Sequence, residues 1–250
     1  KVSSKNLINT SIENIPVLLK NQNHLLPLKL KSNNVINLQF GNDKGIAFNN
    51  YLNKYIDVNS VNTQDIDENQ LNDIINYYET IIVSIHMKSD TPWKNMNKKF
   101  SSSDLEKLKI INNHNKKILV SFTNPYMLNQ LNLNSYNSIL VSFQNNEEFQ
   151  KTTAQQIYGA KSVNGILPVS INESFKEGDG IILEKINILS YGDPKSVGVD
   201  VLKLSKIDSI IEYAIDNEMT PGAQILVAKN SKIIYEKSFG KLRYNENLNV

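Results

Sequence analysis

Few residues of this chain could do chemistry, and none stands in a complete constellation. His86 follows a β-branched run at 81–85, and Asp90 lies four residues further on. A histidine and a carboxylate at that spacing could share a metal ion, but a site needs more ligands, and His24 and His114 are remote in sequence. Cysteine is absent, which excludes disulfides and thiolate metal sites. His86 therefore reads as a loop histidine near a sheet edge. Ser238-Phe239-Gly240-Lys241 has the Ser-x-x-Lys spacing of an acyl-transfer nucleophile. That chemistry needs the serine at the start of a buried helix. Here the tetrapeptide closes a strand pattern and carries a glycine inside it, so Ser238 reads as a strand-end serine. FGNDKG at 40–45 only echoes Gly-x-Gly-x-x-Gly, and no Walker loop occurs. No catalytic, cofactor-binding or metal-ligating residue is assigned, and no cofactor is expected.

The totals set bounds. At 250 residues and 40 % apolar content the chain can build a sizeable core. Its formal charge of +2, from 27 basic and 25 acidic residues, is too balanced for a nucleic-acid surface. No stretch reaches eighteen apolar residues, so no membrane span is expected. Arg243 is the single arginine, which leaves bidentate clamps on phosphate or carboxylate almost absent. The 37 asparagines are scattered through recognisable elements and read as compositional drift. Lys1 and the closing NENLNV both look like cut ends, so a piece of a longer polypeptide is expected. The compartment stays open, a cell-envelope or secreted location in a bacterium being compatible with the sequence.

The elements that must position these residues show as periodicity. Residues 11–29 carry Ile12, Ile15, Leu18 and Leu19 at the spacing of a short helix, with Pro16 in its first turn. Apolar runs at 34–40, 80–85, 117–122 and 138–143 read as strands, with a shorter candidate at 55–61. Helical spacing recurs at 43–54, 67–78, 101–115 and 147–159; Ser102 or Ser103 can cap the third of these, and Gly159 stops the last. Strands separated by amphipathic helices, without hairpin turns, predict an α/β fold: a three-layer α/β/α sandwich with a mainly parallel sheet. Residues 166–171, ILPVSI, read as one more strand. Gly165 makes the tight turn before it, Pro168 suits a sheet edge, and Leu167, Val169 and Ile171 alternate. Nothing there can move a proton, so the stretch is a corner.

Four segments in order then carry a resemblance: VLLKNQNHLLPL (17–28), IIVSIHMKSDTPWKN (81–95), ILVSFTNPYML (118–128) and AQQIYGAKSVNGILPVSI (154–171). Together they resemble the C-terminal α/β sandwich domain of glycoside hydrolase family 3, most closely its bacterial β-N-acetylglucosaminidase branch. The resemblance implies that catalysis belongs to an N-terminal (β/α)8 barrel carrying an aspartate nucleophile and an Asp-His pair. That barrel is not among these residues. It would bind the carbohydrate substrate, and this domain would pack against it. Other branches draw an acid glutamate from the C-terminal domain. Glu79 and Glu106 are the nearest acidic residues here, but both read as solvated faces of helix-like segments, and neither is assigned.

The tail changes character. NESFKEGDG (172–180) interrupts the pattern, and 176–201 reads as a linker. Residues 201–222 return to helical spacing, with Ser205 and Asp208 as a capping-box variant. Two strands around Lys229-Asn230-Ser231 then form a hairpin pattern. The order of helix, PGAQILVAKN and hairpin resembles the N-terminal edge of the serine β-lactamase and D-alanyl-D-alanine peptidase-like fold. The expected organisation is thus a glycosidase-type sandwich over 1–175, a linker over 176–201, and a helix-plus-hairpin fragment of a second domain over 202–250. The expected function is the non-catalytic C-terminal portion of a β-N-acetylglucosaminidase; the alternative is an accessory module of a penicillin-recognising serine hydrolase.

Overall fold

The computed structural model describes residues 11–32, 34–88, 99–245 and 248–250. The chain divides into two compact units, Lys1–Ile186 and Asn187–Val250.

The first unit is the three-layer α/β/α sandwich. Its strands are β1 (Val17–Asn21), β2 (Val35–Phe40), β3 (Asn59–Asn62), β4 (Thr80–His86), β5 (Lys117–Phe122) and β6 (Ser138–Val141), in sheet order β1-β6-β5-β4-β2-β3. Strands β2 to β6 run parallel, and β1 closes one edge antiparallel to β6. The helices are α1 (Ile46–Leu52), α2 (Glu68–Tyr77), α3 (Ser102–Ile111) and α4 (Glu147–Ile157). One sheet face packs Ile36, Val83 and Leu119 under Leu71 of α2 and Leu108 and Ile111 of α3. The other packs Ile82, Val120 and Leu140 under Phe48 and Leu52 of α1 and Ala154 and Ile157 of α4. Both faces of the central strands are covered, which is why those strands read as mostly apolar runs.

Several expectations need correction. Residues 11–29 are not one helix: the helix stops at Glu13, and Val17–Asn21 forms β1. Pro16 has no N–H to continue a helix and biases the chain around it towards extended conformations. Leu18 and Leu19 then face opposite cores, and that burial outweighs their helical spacing. The cap of α3 is Ser101, whose Oγ accepts from Asp104 N–H at 3.0 Å. Residues 166–171 alternate in burial as expected but join no ladder; Leu167 N–H donates to Asp179 O at 2.7 Å. Gly165 is required for another reason than a turn: a Cβ there would lie 2.4 Å from Pro16 O. Gly159 does take a left-handed φ of 72°, and its N–H and that of Ala160 close onto Gln156 O and Gln155 O as a Schellman motif. Residues 178–186, part of the expected linker, hydrogen-bond into this unit: Ile181 N–H donates to Leu18 O, and Leu183 bridges Val163.

The second unit holds β7 (Ser190–Tyr191), α5 (Val201–Leu204), α6 (Lys206–Asp216), β8 (Gly222–Lys229) and β9 (Lys232–Gly240), with sheet order β7-β9-β8. Strands β8 and β9 form the hairpin, turning through Asn230 and Ser231 at φ 52° and 60°, the signature of a primed turn. The expected capping box is not formed. Asp200 caps the helical start instead, and Asp208 accepts from Tyr235 Oη at 2.9 Å and Lys237 Nζ at 2.6 Å. Among the described residues no helix is long and apolar enough to cross a membrane.

Candidate functional site

The winding of the parallel strands reverses between β2 and β4: the chain leaves β2 outward to β3, then returns to build β4, β5 and β6 on the other side. Open α/β sheets bind ligands outside the carboxyl ends of their strands at such a reversal. The residues there are Gly41–Gly45 after β2, His86 at the end of β4, and Asn145 after β6.

His86 is fully buried, with its ring stacked on Phe122 at 4.7 Å between centroids. Its Nδ1 lies 2.8 Å from Asn145 Oδ1, which can only accept, so Nδ1 carries the proton. The Asn145 amide is oriented in turn by donating Nδ2 to Asp43 Oδ2 at 3.0 Å, while its Oδ1 also accepts from Gln150 Nε2 at 2.7 Å. Gln150 Oε1 accepts from Phe48 N–H at 3.1 Å, which fixes the start of α1. Burial lowers the His86 pKa to about 4 against the opposing effects of Asn145 and Asp43, so the ring is neutral at neutral pH. Its Nε2 has no hydrogen-bond partner among the described residues and faces Gly45, where a Cβ would sit 2.4 Å away. Gly41, at φ 101°, passes so close to β4 that a Cβ would lie 2.2 Å from His86 O. The two glycines of FGNDKG therefore serve the packing around His86 rather than a phosphate.

Beside this network a groove of about 300 Å³ is lined by Lys44, Ile46, Ala47, Asn50, Glu147 and Gln150. Glu147 pairs with Lys151 at 2.5 Å. The groove offers amides, an ammonium and an apolar wall, but no nucleophile beside a base.

The structure separates the other sequence candidates. His24 is exposed, and His114 Nε2–H donates to Tyr78 O at 2.8 Å, a structural bond. Asp90 lies outside the described residues. Among the described residues no group of three or more His, Cys, Asp or Glu could hold a metal. Glu106 is an exposed residue of α3. Glu79 lies in the bend between α2 and β4, not in a helix, because Tyr78 turns extended at ψ 136°. It pairs with Lys116, which lowers its pKa, at the end of the sheet away from His86. Ser238 lies within β9 opposite Gln224. Lys241 falls beyond the end of β9, past Gly240 at φ 65°, so no helix brings the serine and lysine together here.

Asp43, Asn145 and Gln150 were not singled out by sequence. Their only advance signal was the glycine pair at 41 and 45, whose demand for space becomes legible once β2 and β4 are neighbours.

No protein-family model matches the chain. No curated protein matches it either. Solved structures do share its fold. The β-glucoside phosphorylase BglX aligns at a TM-score of 0.52 and 19 % identity, over 67 % of this chain and 31 % of that one. A β-glucosidase from Listeria innocua in complex with glucose aligns at 0.53 and 13 % identity, over 69 % and 29 %. A glycoside hydrolase family 3 β-N-acetylglucosaminidase from Paenibacillus sp. str. FPU-7 aligns at 0.50 and 12 % identity, over 69 % and 33 %. The chain spans about a third of the length of these structures. At such identities the likeness is one of fold.

Proposed function

We propose that this chain is the non-catalytic α/β module of a family 3-type glycosidase, which braces a catalytic barrel and covers one side of its sugar site. The observation that carries this reading is the fold likeness to carbohydrate-active enzymes whose other two thirds lie outside the match. The sequence segments 17–28, 81–95, 118–128 and 154–171, taken in their order along the chain, favour the β-N-acetylglucosaminidase branch. The amide-rich carboxyl edge of the sheet suits a wall that touches a sugar without reacting with it. On their sequence, residues 202–250 resemble the N-terminal edge of a β-lactamase-like domain, and Leu202, Ile210 and Leu226 stand exposed there.

The test is a panel of aryl glycosides on the protein expressed from its complete gene. Turnover of the β-N-acetylglucosaminide well above the β-glucoside supports the branch. Turnover of the β-glucoside alone moves the reading to another branch, and turnover of neither removes it.

A further inference from the structure

A second cavity lies away from the carboxyl edge, on the α3 face of the sheet near the amino ends of β5 and β6. It measures about 240 Å³, and Leu105, Leu108 and Leu131 give it an apolar floor. Tyr136 lines it. This side chain is only 1 % exposed, and no hydrogen bond reaches its hydroxyl from any described residue. Burial alone pushes its pKa up, so it stays a neutral donor at any ordinary pH. A buried tyrosine hydroxyl normally finds a partner. Among the described residues none supplies one, and the hydroxyl opens onto a cavity large enough for a single ring.

The rest of the lining shows which partner would fit. Asn112 Oδ1 already accepts from Ser135 Oγ at 2.7 Å, and Gln130 Oε1 from Phe100 N–H at 3.1 Å. Those two acceptors are thus taken, while the exposed Asn132 amide at the rim faces solvent. The donors available are the Tyr136 hydroxyl, the Asn112 side-chain N–H groups and the exposed Lys109 ammonium. Among the described residues no acidic side chain lines the cavity. An apolar floor under a rim of donors and one cation matches an acceptor-bearing anion on a small apolar body.

We propose that this cavity binds a small monocarboxylate carrying one ring or a short branched chain, with the apolar body on the leucines and the carboxylate on Tyr136, Asn112 and Lys109. This is independent of the glycosidase reading, since the cavity lies at the opposite end of the strands from the carboxyl-edge groove.

The experiment is a titration of the 250-residue chain, followed by amide NMR, with benzoate as the probe and benzamide as its neutral match. Benzoate is expected to shift resonances within 105–112 and 130–136, saturably, and to bind more tightly than benzamide. Tyr136→Phe keeps the ring volume and should weaken benzoate binding roughly fivefold. Lys109→Gln changes an exposed residue, carries no folding risk, and should weaken benzoate but not benzamide. Equal binding of the two probes, shifts scattered over surface lysines, or affinity unchanged in both variants would overturn the proposal. So would a cavity that takes up only water, read as no saturable shift with either probe.

Discussion

His86 Nδ1 and Asn145 Oδ1, 59 residues apart, meet at 2.8 Å and join the end of β4 to the loop after β6. The bond fixes one tautomer of a buried ring, and Asp43 holds the asparagine that makes it. Burial takes the His86 pKa from about 6.5 in the unfolded chain to about 4 in the folded one. Between those values the unfolded chain binds the extra proton. Stability from this group is therefore complete above about pH 6.5, falls as pH drops below it, and levels off below about pH 4.

From pH 7 to pH 5 the wild-type chain should lose about 2 kcal/mol more unfolding free energy than the His86→Gln variant, which has nothing to titrate there. Urea denaturation at a series of pH values measures the difference. Parallel profiles for the two proteins would show that His86 is not the group responsible.

Two glycines should differ in their tolerance of a methyl group. At Gly159, with φ 72°, a Cβ would meet the side chains of Pro27 and Ile186 at 2.9 Å. At Gly41, with φ 101°, it would meet the His86 carbonyl at 2.2 Å, and backbone in a central strand cannot step aside. Gly159→Ala should cost about 1 kcal/mol or more, and Gly41→Ala about 3 kcal/mol. Denaturation midpoints in the reverse order, or an unchanged midpoint for Gly159→Ala, would contradict the backbone account.

Legibility followed the physics of each element. The runs at β2, β4, β5 and β6 could be read because burial on both faces makes them mostly apolar, with Asn37, Ser84 and Ser121 among the buried polar exceptions. Strand β1 could not, since Ile15, Leu18 and Leu19 satisfy a helix as well as a strand, and only pairing with β6 decides. ILPVSI kept its alternation without a ladder because its partners are loop carbonyls such as Asp179 O. The site was the least legible part. Asn145 and Gln150 are ordinary amides in a chain with 37 asparagines, and nothing local distinguishes them. Only the strand order β6-β5-β4-β2 brings them to His86.

Treatment with a fluorescent penicillin should leave Ser238 unmodified. The residue lies in β9 paired with Gln224, and Gly240 follows at φ 65°, so no helix presents Ser238 and Lys241 together. Mass spectrometry of the peptide containing 232–241 would detect an adduct. Its presence would mean that a strand serine had been activated without the lysine geometry that this chemistry uses.

The central claim places the glycosidase chemistry outside this module, and the initial rate of aryl β-N-acetylglucosaminide hydrolysis by residues 1–250 alone tests it most directly. The described carboxyl edge offers a neutral buried histidine, an Asp43 carboxylate that accepts from Asn145, and a Glu147 carboxylate paired with Lys151; retention of configuration requires two carboxyl groups about 5–5.5 Å apart across the sugar. The expected rate is that of the buffer blank. A rate above the blank that disappears when a single Asp or Glu within 1–175 is substituted would contradict the account.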